Sequence, residues 1–166
     1  MPSPVGHALG GLIVGLALNP RTLGTRGTLG TLALAAVLPD ADFLWGRHNM
    51  ETHSLGAAVV AGLAVLAYNR GKNPQLALAV TLAWASHILF DWLGSDTTPP
   101  LGVMALWPLT STYYFADAFV FEAISRRHWL PNFIQHNAWA VAREVGMLAP
   151  VVGISWVVRR WRNASH

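Results

Sequence analysis

Residues 75–93 read QLALAVTLAWASHILFDWL, an apolar run that carries a histidine and an aspartate near its end. Comparable apolar runs cover residues 5–19, 28–39, 54–69 and 138–158. Five such runs cannot all be buried inside one domain of 166 residues. Helices satisfy their own backbone hydrogen bonds, as hydrocarbon requires. We therefore predict an all-α fold, an integral membrane helix bundle of about five spans that forms one domain over residues 1–166.

The composition supports this class. Apolar residues make up 53% of the chain and charged residues 11%, less than half the share usual in soluble domains. The mean hydropathy is +0.38, which argues against disorder. The chain has no cysteine, which excludes disulfides, zinc–thiolate sites and cysteine nucleophiles. The net charge is only +3 and the arginines form no patch, so we expect no nucleic-acid partner.

Basic residues orient the predicted bundle. Seven of the eleven follow the first, third and fifth runs: Arg21, Arg26, Arg70, Lys72, Arg159, Arg160 and Arg162. The positive-inside rule makes that side cytoplasmic, with the N-terminus outside, in a bacterial or archaeal cytoplasmic membrane. The aromatic-rich segment 115–137 predicts a helix lying in the membrane interface, which leaves Arg126 and Arg127 outside.

Ionisable residues at membrane depth are costly and therefore candidates for function. The orientation drawn from the basic residues places the acids and histidines of four runs at the same outer rim: His7, Asp40, Asp42, His53, His87 and Asp91. The orientation depends on the basic residues alone and is independent of these side chains. Their convergence on one face therefore predicts a shared site.

The spacing of these residues suits a metal ion. His87 and Asp91 are four residues apart and share one helix face, and Asp40 and Asp42 follow Pro39 at a helix end. Imidazole and carboxylate without thiolate suit Zn, Mn or Fe(II). We predict one or two divalent ions, most simply Zn, held by His7, Asp40, His53, His87 and Asp91.

Each of these residues also has a purely structural interpretation that involves no metal ion. His87 and Asp91 can form a side-chain hydrogen bond that only stabilises the helix, and Asp40 can cap the loop after Pro39. Thr52–Ser54 suits an N-cap, and His7 suits a headgroup-level surface position. We assign the remaining histidines to the interface or the tail, and two acids to the polar side of the interfacial helix: His128, His136, His166, Asp117 and Glu122.

The order of motifs resembles a known family. His7 is followed by LPDAD (38–42), HNMETHS (48–54), HILFD (87–91) and GVMALWP (102–108). This order resembles the YdjM-type membrane-bound metal-dependent hydrolases over residues 7–114. The family usually has Arg-Gly where this chain has Asn49 and Met50, and Arg47 is the nearby arginine able to replace that Arg. The order is also similar to the zinc-dependent phospholipase C and P1 nuclease site.

The resemblance implies a metal-dependent hydrolase of the phosphoesterase class. A bound metal is expected to supply hydroxide at neutral pH, with Asp40 or Asp42 as bridging ligand or catalytic base. The expected substrate is a phosphoester, such as a membrane lipid headgroup. We expect His48, Arg47, Asp96 and Thr97 to contact substrate or orient the ligands. The alternatives are a membrane protein that binds or transports a divalent cation, and a purely structural helix bundle.

Overall fold

The helices of the chain follow its apolar runs. A computed structural model describes residues 1–18, 27–97 and 99–164. Those residues form five α-helices and two 3₁₀ helices, and their only extended pairings are isolated bridges. The α-helices are α1 (Pro4–Ala17), α2 (Gly27–Val37), α3 (Leu55–Tyr68), α4 (Pro74–Trp92) and α5 (Phe133–Ala164). The 3₁₀ helices are Leu38–Trp45 and Glu51–His53. The prediction of an all-α fold is confirmed.

Polar side chains fix where three helices begin. Ser3, Ser54 and Asn73 cap α1, α3 and α4, each through a side-chain oxygen that accepts a backbone N–H of the first turn. Pro4 and Pro74 stand at the first positions of α1 and α4, where a missing N–H costs no helical hydrogen bond. These caps place the histidines that lie close to the starts of α1 and α3.

Small residues let the helices approach closely. α1 packs against α2, α4 and α5, while α3 packs against α4. Gly11 of α1 lies against the Leu32 carbonyl of α2, and Gly62 of α3 lies against the Thr81 hydroxyl of α4, where a side-chain carbon would overlap. The buried core between α2 and α4 is likewise mostly alanine: Leu32, Ala35, Ala36, Ala79, Val80 and Ala83.

Only two helical stretches in the described residues are long and apolar enough to cross a bilayer. They are Thr28–Trp45, which comprises most of α2 and the whole of the first 3₁₀ helix, and Phe133–Ala164, which is α5. The expectation of about five spans is therefore corrected to two candidates. α1 and α3 have 14 residues each, about 21 Å of helix against a hydrocarbon core of roughly 30 Å. α4 has the length, but polar residues such as His87 and Asp91 lower its hydropathy.

α5 is mostly uncovered by the rest of the chain. Its 32 residues extend about 48 Å, and 11% of the apolar span is buried within the structure. The buried positions are Ala140, Glu144 and Leu148, four residues apart on a single stripe. α5 therefore presents one narrow face to α1 and the rest of its apolar surface outward.

Residues 115–132 form no helix, so the interfacial helix predicted over 115–137 is wrong except where α5 begins. Up to residue 124 the backbone of this segment bonds to the end of α4 and to the N-terminus, and the bonds within the segment are short turns, from His128 to Arg126 and from Leu130 to Arg127. Ala116 N–H donates to the Trp92 carbonyl (3.0 Å), Val120 N–H to the Leu93 carbonyl (2.7 Å), and Ile124 N–H to the Met1 carbonyl (3.1 Å). These bonds lay the segment across the end of the bundle that carries the predicted site.

Candidate metal centre

Histidines and aspartates from four elements meet at one end of the bundle. His7 is in the first turns of α1, and His87 and Asp91 are in the last turns of α4. Asp40 and Asp42 belong to the first 3₁₀ helix, which continues α2. His53 ends the second 3₁₀ helix, just before α3. The structure thus gathers all the residues that the sequence proposed as metal ligands.

Asp91 lies at the centre of three imidazoles. Its Oδ2 atom is 3.0 Å from His87 Nε2 and 3.3 Å from His53 Nε2, and its Oδ1 atom is 3.3 Å from His7 Nε2. The His7 and His87 rings stack, with 3.7 Å between their centroids. All four side chains are at most 1% exposed. Three ring nitrogen atoms and one carboxylate therefore share a buried pocket.

Asp40 completes this cluster at its edge. Its Oδ1 atom is 3.7 Å from His53 Nε2 and 3.8 Å from His87 Nε2. The Asp40 side chain is 19% exposed, whereas those of His53 and His87 are fully buried. We define the metal cluster as these five residues: His7, Asp40, His53, His87 and Asp91. The side of the cluster at Asp40, the one member with appreciable exposure, is called its open side.

The atoms of the metal cluster fit a cation. The Nε2 atoms of His7, His53 and His87 and both oxygens of Asp91 are buried without any hydrogen-bond partner. Each such orphan costs roughly 1–3 kcal/mol. Ligands about 2.0–2.2 Å from a tetrahedral Zn lie roughly 3.3–3.6 Å apart, which is close to the 3.0–3.3 Å between the Asp91 oxygens and the three ring nitrogens. Three overlapping groups each bring three possible ligand atoms within 4.8 Å of one another: His7–Asp40–His87, Asp40–His48–His53 and His53–His87–Asp91.

Backbone and carboxylate partners hold two imidazoles in the orientation that metal binding needs. His87 Nδ1 is 2.7 Å from the Ala36 carbonyl oxygen, so that nitrogen carries the proton and leaves the Nε2 lone pair facing Asp91. His53 Nδ1 is 3.1 Å from Asp42 Oδ2. Partners of this kind are typical of metal-binding histidines.

Asp42 lies behind the metal cluster. Its Oδ1 is 2.8 Å from His48 Nδ1, and its Oδ2 accepts from the Thr52 hydroxyl (2.8 Å). With His53 on the same oxygen, Asp42 already has three donors and is fully buried. Asp42 is absent from the three possible metal groups of the described residues. The structure thus places it where it orients His53.

The carboxylates around His53 favour its protonated form. Burial alone lowers the pKa of this imidazole, but the adjacent Asp40 and Asp42 outweigh that effect and raise the pKa to about 9. A cation at Nε2 competes with the proton there, so binding releases protons.

The structure separates the residues predicted to contact substrate. His48 lies beside the cluster, 4.0 Å from Asp40 Oδ1. Asp96 accepts from the Gly102 N–H (3.1 Å) and Thr97 lines a neighbouring cavity. Arg47 is turned away, since it pairs with Glu51 on the surface.

The structure confirms some of the non-metal roles proposed from the sequence for these residues and contradicts others. Ser54 caps α3 as expected, but Thr52 bonds to Asp42, and His7 is buried. His136 contacts the Ala123 carbonyl. Three further residues stand apart from the cluster: His128 and Asp117, which are exposed, and Glu122, which pairs with Arg143. Arg21, Arg26 and His166 lie outside the described residues.

Sequence reasoning missed one side chain at the site. Arg126, placed by the sequence in an interfacial helix, donates to His48 Nε2 (2.7 Å). The two residues are 78 positions apart, and no local pattern signals the contact.

Comparisons with known proteins extend the resemblance along the chain. The model of a family described as YdjM inner membrane protein matches residues 1–164. The match therefore continues beyond residue 114, where the recognisable motifs end. No curated protein and no solved structure matches the chain. The similarity to the phospholipase C and P1 nuclease site order gains no support from these comparisons.

Proposed function

The chain belongs to the YdjM inner membrane protein family, and we propose that it is a membrane-embedded, metal-dependent hydrolase of phosphoesters. The metal cluster described above carries this proposal. The ligands themselves indicate a metal site, while hydrolysis of a phosphoester follows from the resemblance to membrane-bound metal-dependent hydrolases; a membrane location favours a lipid headgroup as the source of that phosphoester. Zn is the simplest metal for such ligands, and Mn or Fe(II) also suit them.

The cluster has the form of a reactive site because it is closed on all sides but one. His7, His53, His87 and Asp91 are sealed from solvent, and Asp40 alone keeps an exposed edge. Structural metal sites are closed, while a catalytic site must admit water and substrate to the metal. The opening at Asp40 therefore supports hydrolysis over a purely structural role.

The residues divide into ligands and supports. His7, His53, His87 and Asp91 would hold the metal, with Asp40 as a further ligand or as the base that takes a proton from water at the open edge. Asp42 keeps the His53 ring in place, and the Ala36 carbonyl does the same for His87. When bound, a divalent cation supplies a Lewis acid that neutralises phosphoryl charge and acidifies water.

We place the cluster at the extracytoplasmic face. Arg70 and Lys72 lie in the turn between α3 and α4, at the end of the bundle opposite the cluster. Arg159 and Arg162 reach carbonyl oxygens in the last turns of α1, far from His7. The positive-inside rule makes that opposite end cytoplasmic.

The test is hydrolysis of lipids by the purified protein. Detergent-solubilised protein loaded with Zn, Mn or Mg is incubated with a panel of phospholipids, and released phosphate or phosphorylated headgroup is measured. We expect turnover by the wild type and its loss in Asp91→Asn. Asp117→Asn makes the same change at an exposed position and is expected to retain turnover. Absence of turnover with every metal and lipid, with wild type and Asp91→Asn alike, would reject the proposal.

Two measurements separate the alternatives. Uptake of divalent metal into liposomes without hydrolysis would identify a transporter, for which intramembrane carboxylates are usual. A protein purified without chelators that contains no metal and takes none up would identify a structural polar network.

A further inference from the structure

Arg126 lies at the open side of the metal cluster, on the segment that crosses the end of the bundle. Its guanidinium carbon is 4.0 Å from the centroid of the Phe43 ring. Its Nη2 donates to His48 Nε2 (2.7 Å), and the Phe43 and His48 rings stack 3.9 Å apart. Phe43 belongs to the same 3₁₀ helix as Asp40. The guanidinium is therefore held by a flat aromatic surface beside the cluster.

The partner of Arg126 is a neutral ring. The Nδ1–H of His48 donates a hydrogen bond to Asp42 Oδ1 (2.8 Å), so Nε2 has a lone pair that accepts from Arg126. Within the described ranges, Arg126 makes no other side-chain hydrogen bond and has no carboxylate within ion-pair distance. Arg47 and Arg143, by contrast, each pair with a glutamate. A guanidinium has five donors, and Arg126 leaves most of them for a ligand.

Those donors border a cavity of about 590 Å³, a size typical of small-molecule sites. His48, Asn49, Thr97 and Arg127 line it together with Arg126. Two carboxylates also line it: Asp96, which accepts from the Gly102 N–H, and Glu122, which pairs with Arg143. His48 also connects the cavity to the cluster, since its Nδ1 is 4.0 Å from Asp40 Oδ1. An anion in this cavity would therefore meet Arg126 next to the open edge of the metal cluster.

We propose that Arg126 is the residue that binds the phosphoryl oxygens of the substrate, in the cavity between residues 122–127 and His48. This inference rests on the proposed function for the presence of a metal beside the phosphate. A guanidinium supported by an aromatic ring matches the planar pairs of oxygens on a phosphoryl group. The phosphoryl group comes either from a lipid headgroup or from a soluble phosphate, because both present the same oxygens.

The experiment measures phosphate binding without relying on turnover. Inorganic phosphate is titrated calorimetrically into Zn-loaded, detergent-solubilised protein. We expect Arg126→Gln to weaken binding by roughly tenfold or more, as loss of a charged hydrogen bond implies. Arg126→Lys, which keeps the charge but loses the planar fork, is expected to fall between. Arg70→Gln makes the same charge change at the far end of the bundle and is expected to bind as the wild type does.

Metal content and melting temperature accompany each titration, so that a folding defect is recognised. If Arg126→Gln does not fold, the phosphate affinity of Arg126→Lys is compared with that of the wild type instead. Equal phosphate affinity in wild type and in the folded Arg126 variant would overturn the inference, and so would absence of phosphate binding by the wild type.

Two further arms of the experiment identify the source of the phosphate and distinguish failure of the anion site from failure of the proposed metal-dependent hydrolase. Dihexanoyl phosphatidic acid replaces inorganic phosphate in the first arm, and Arg126-dependent binding of this lipid supports a headgroup source. Arg126-dependent binding of inorganic phosphate alone supports a soluble one. The second arm repeats the titration on chelator-treated protein. Arg126-dependent phosphate binding by a protein that never takes up metal would reject the metal-dependent hydrolase while supporting the anion site.

Discussion

Two buried carboxylates of this chain have opposite surroundings. Glu144 of α5 is fully buried, and its oxygens accept hydrogen bonds from the Ser3 backbone N–H (2.7 Å) and the Ser3 hydroxyl. Asp91 is equally buried, yet neither of its oxygens has a hydrogen-bond donor. Its neighbours are the ring nitrogens of His7, His53 and His87.

On the proposed function, this difference separates a structural contact at Glu144 from a metal site at Asp91. Glu144 is satisfied by the protein itself, as buried polar groups normally are, and it fastens α5 to the start of α1. A bound cation would satisfy Asp91 and its imidazoles, as we propose. Variants at the two carboxylates should therefore fail in different ways.

The largest expected effect is that of Asp91→Asn. The amide keeps the size of the side chain but removes the negative charge at the centre of the three imidazoles. We expect metal affinity to fall by roughly 100-fold or more, since even outer partners contribute 10–100-fold. Zn titration with a competing chelator measures it. Metal affinity equal to that of the wild type would remove Asp91 from the metal cluster.

Glu144→Ala tests the other side of the comparison. Loss of two hydrogen bonds to a buried carboxylate is expected to lower the free energy of unfolding by about 3 kcal/mol. The metal content of the folded protein should stay unchanged. Denaturant unfolding and metal analysis of the same sample give both values. A variant that loses metal but keeps its stability would reverse the roles assigned to the two carboxylates.

Asp42→Asn should weaken metal binding without removing it. Asp42 orients His53 from behind the cluster, and changes of this kind cost about 10–100-fold in metal affinity. Chelator competition again provides the measurement. A loss as complete as that of Asp91→Asn would make Asp42 a direct ligand, as the sequence allowed.

Thr52→Val gives the smallest expected effect. It removes one donor to Asp42 (2.8 Å) while keeping the shape of the side chain. We expect about a fivefold loss of metal affinity, which corresponds to roughly 1 kcal/mol for one hydrogen bond. Thr81→Val, on the far side of Gly62, serves as the matched control. A loss in Thr52→Val no larger than that in the control would show that Thr52 is not needed to hold Asp42.

The sequence predicted the helices well because apolar runs and capping residues are local signals. Ser54 and Asn73 cap α3 and α4 where the third and fourth runs begin. The number of spans was overestimated because apolar character marks burial in protein as readily as burial in lipid. The segment 115–132 was misread as helix because its backbone partners lie at Trp92 and Leu93, remote in the chain.

The part of the site that lies on helices was predictable from the sequence, and the part that depends on long-range contacts was not. The spacing of His87 and Asp91 and the shared rim are visible in the chain, since helix geometry and topology determine both. Arg126 was not, because its contact with His48 depends on how a non-helical segment folds back. Glu144 was not either, since its partner Ser3 is 141 residues away. Long-range contacts between loops and helix ends carry no periodic signal.

Anomalous diffraction at the zinc absorption edge, from crystals of Zn-loaded protein, tests the central claim most directly. We expect one or two peaks within coordination distance of Asp91 and of the Nε2 atoms of His53 and His87. Zinc found only elsewhere on the protein, or hydrogen-bond donors of the chain in place of a cation at Asp91, would contradict it.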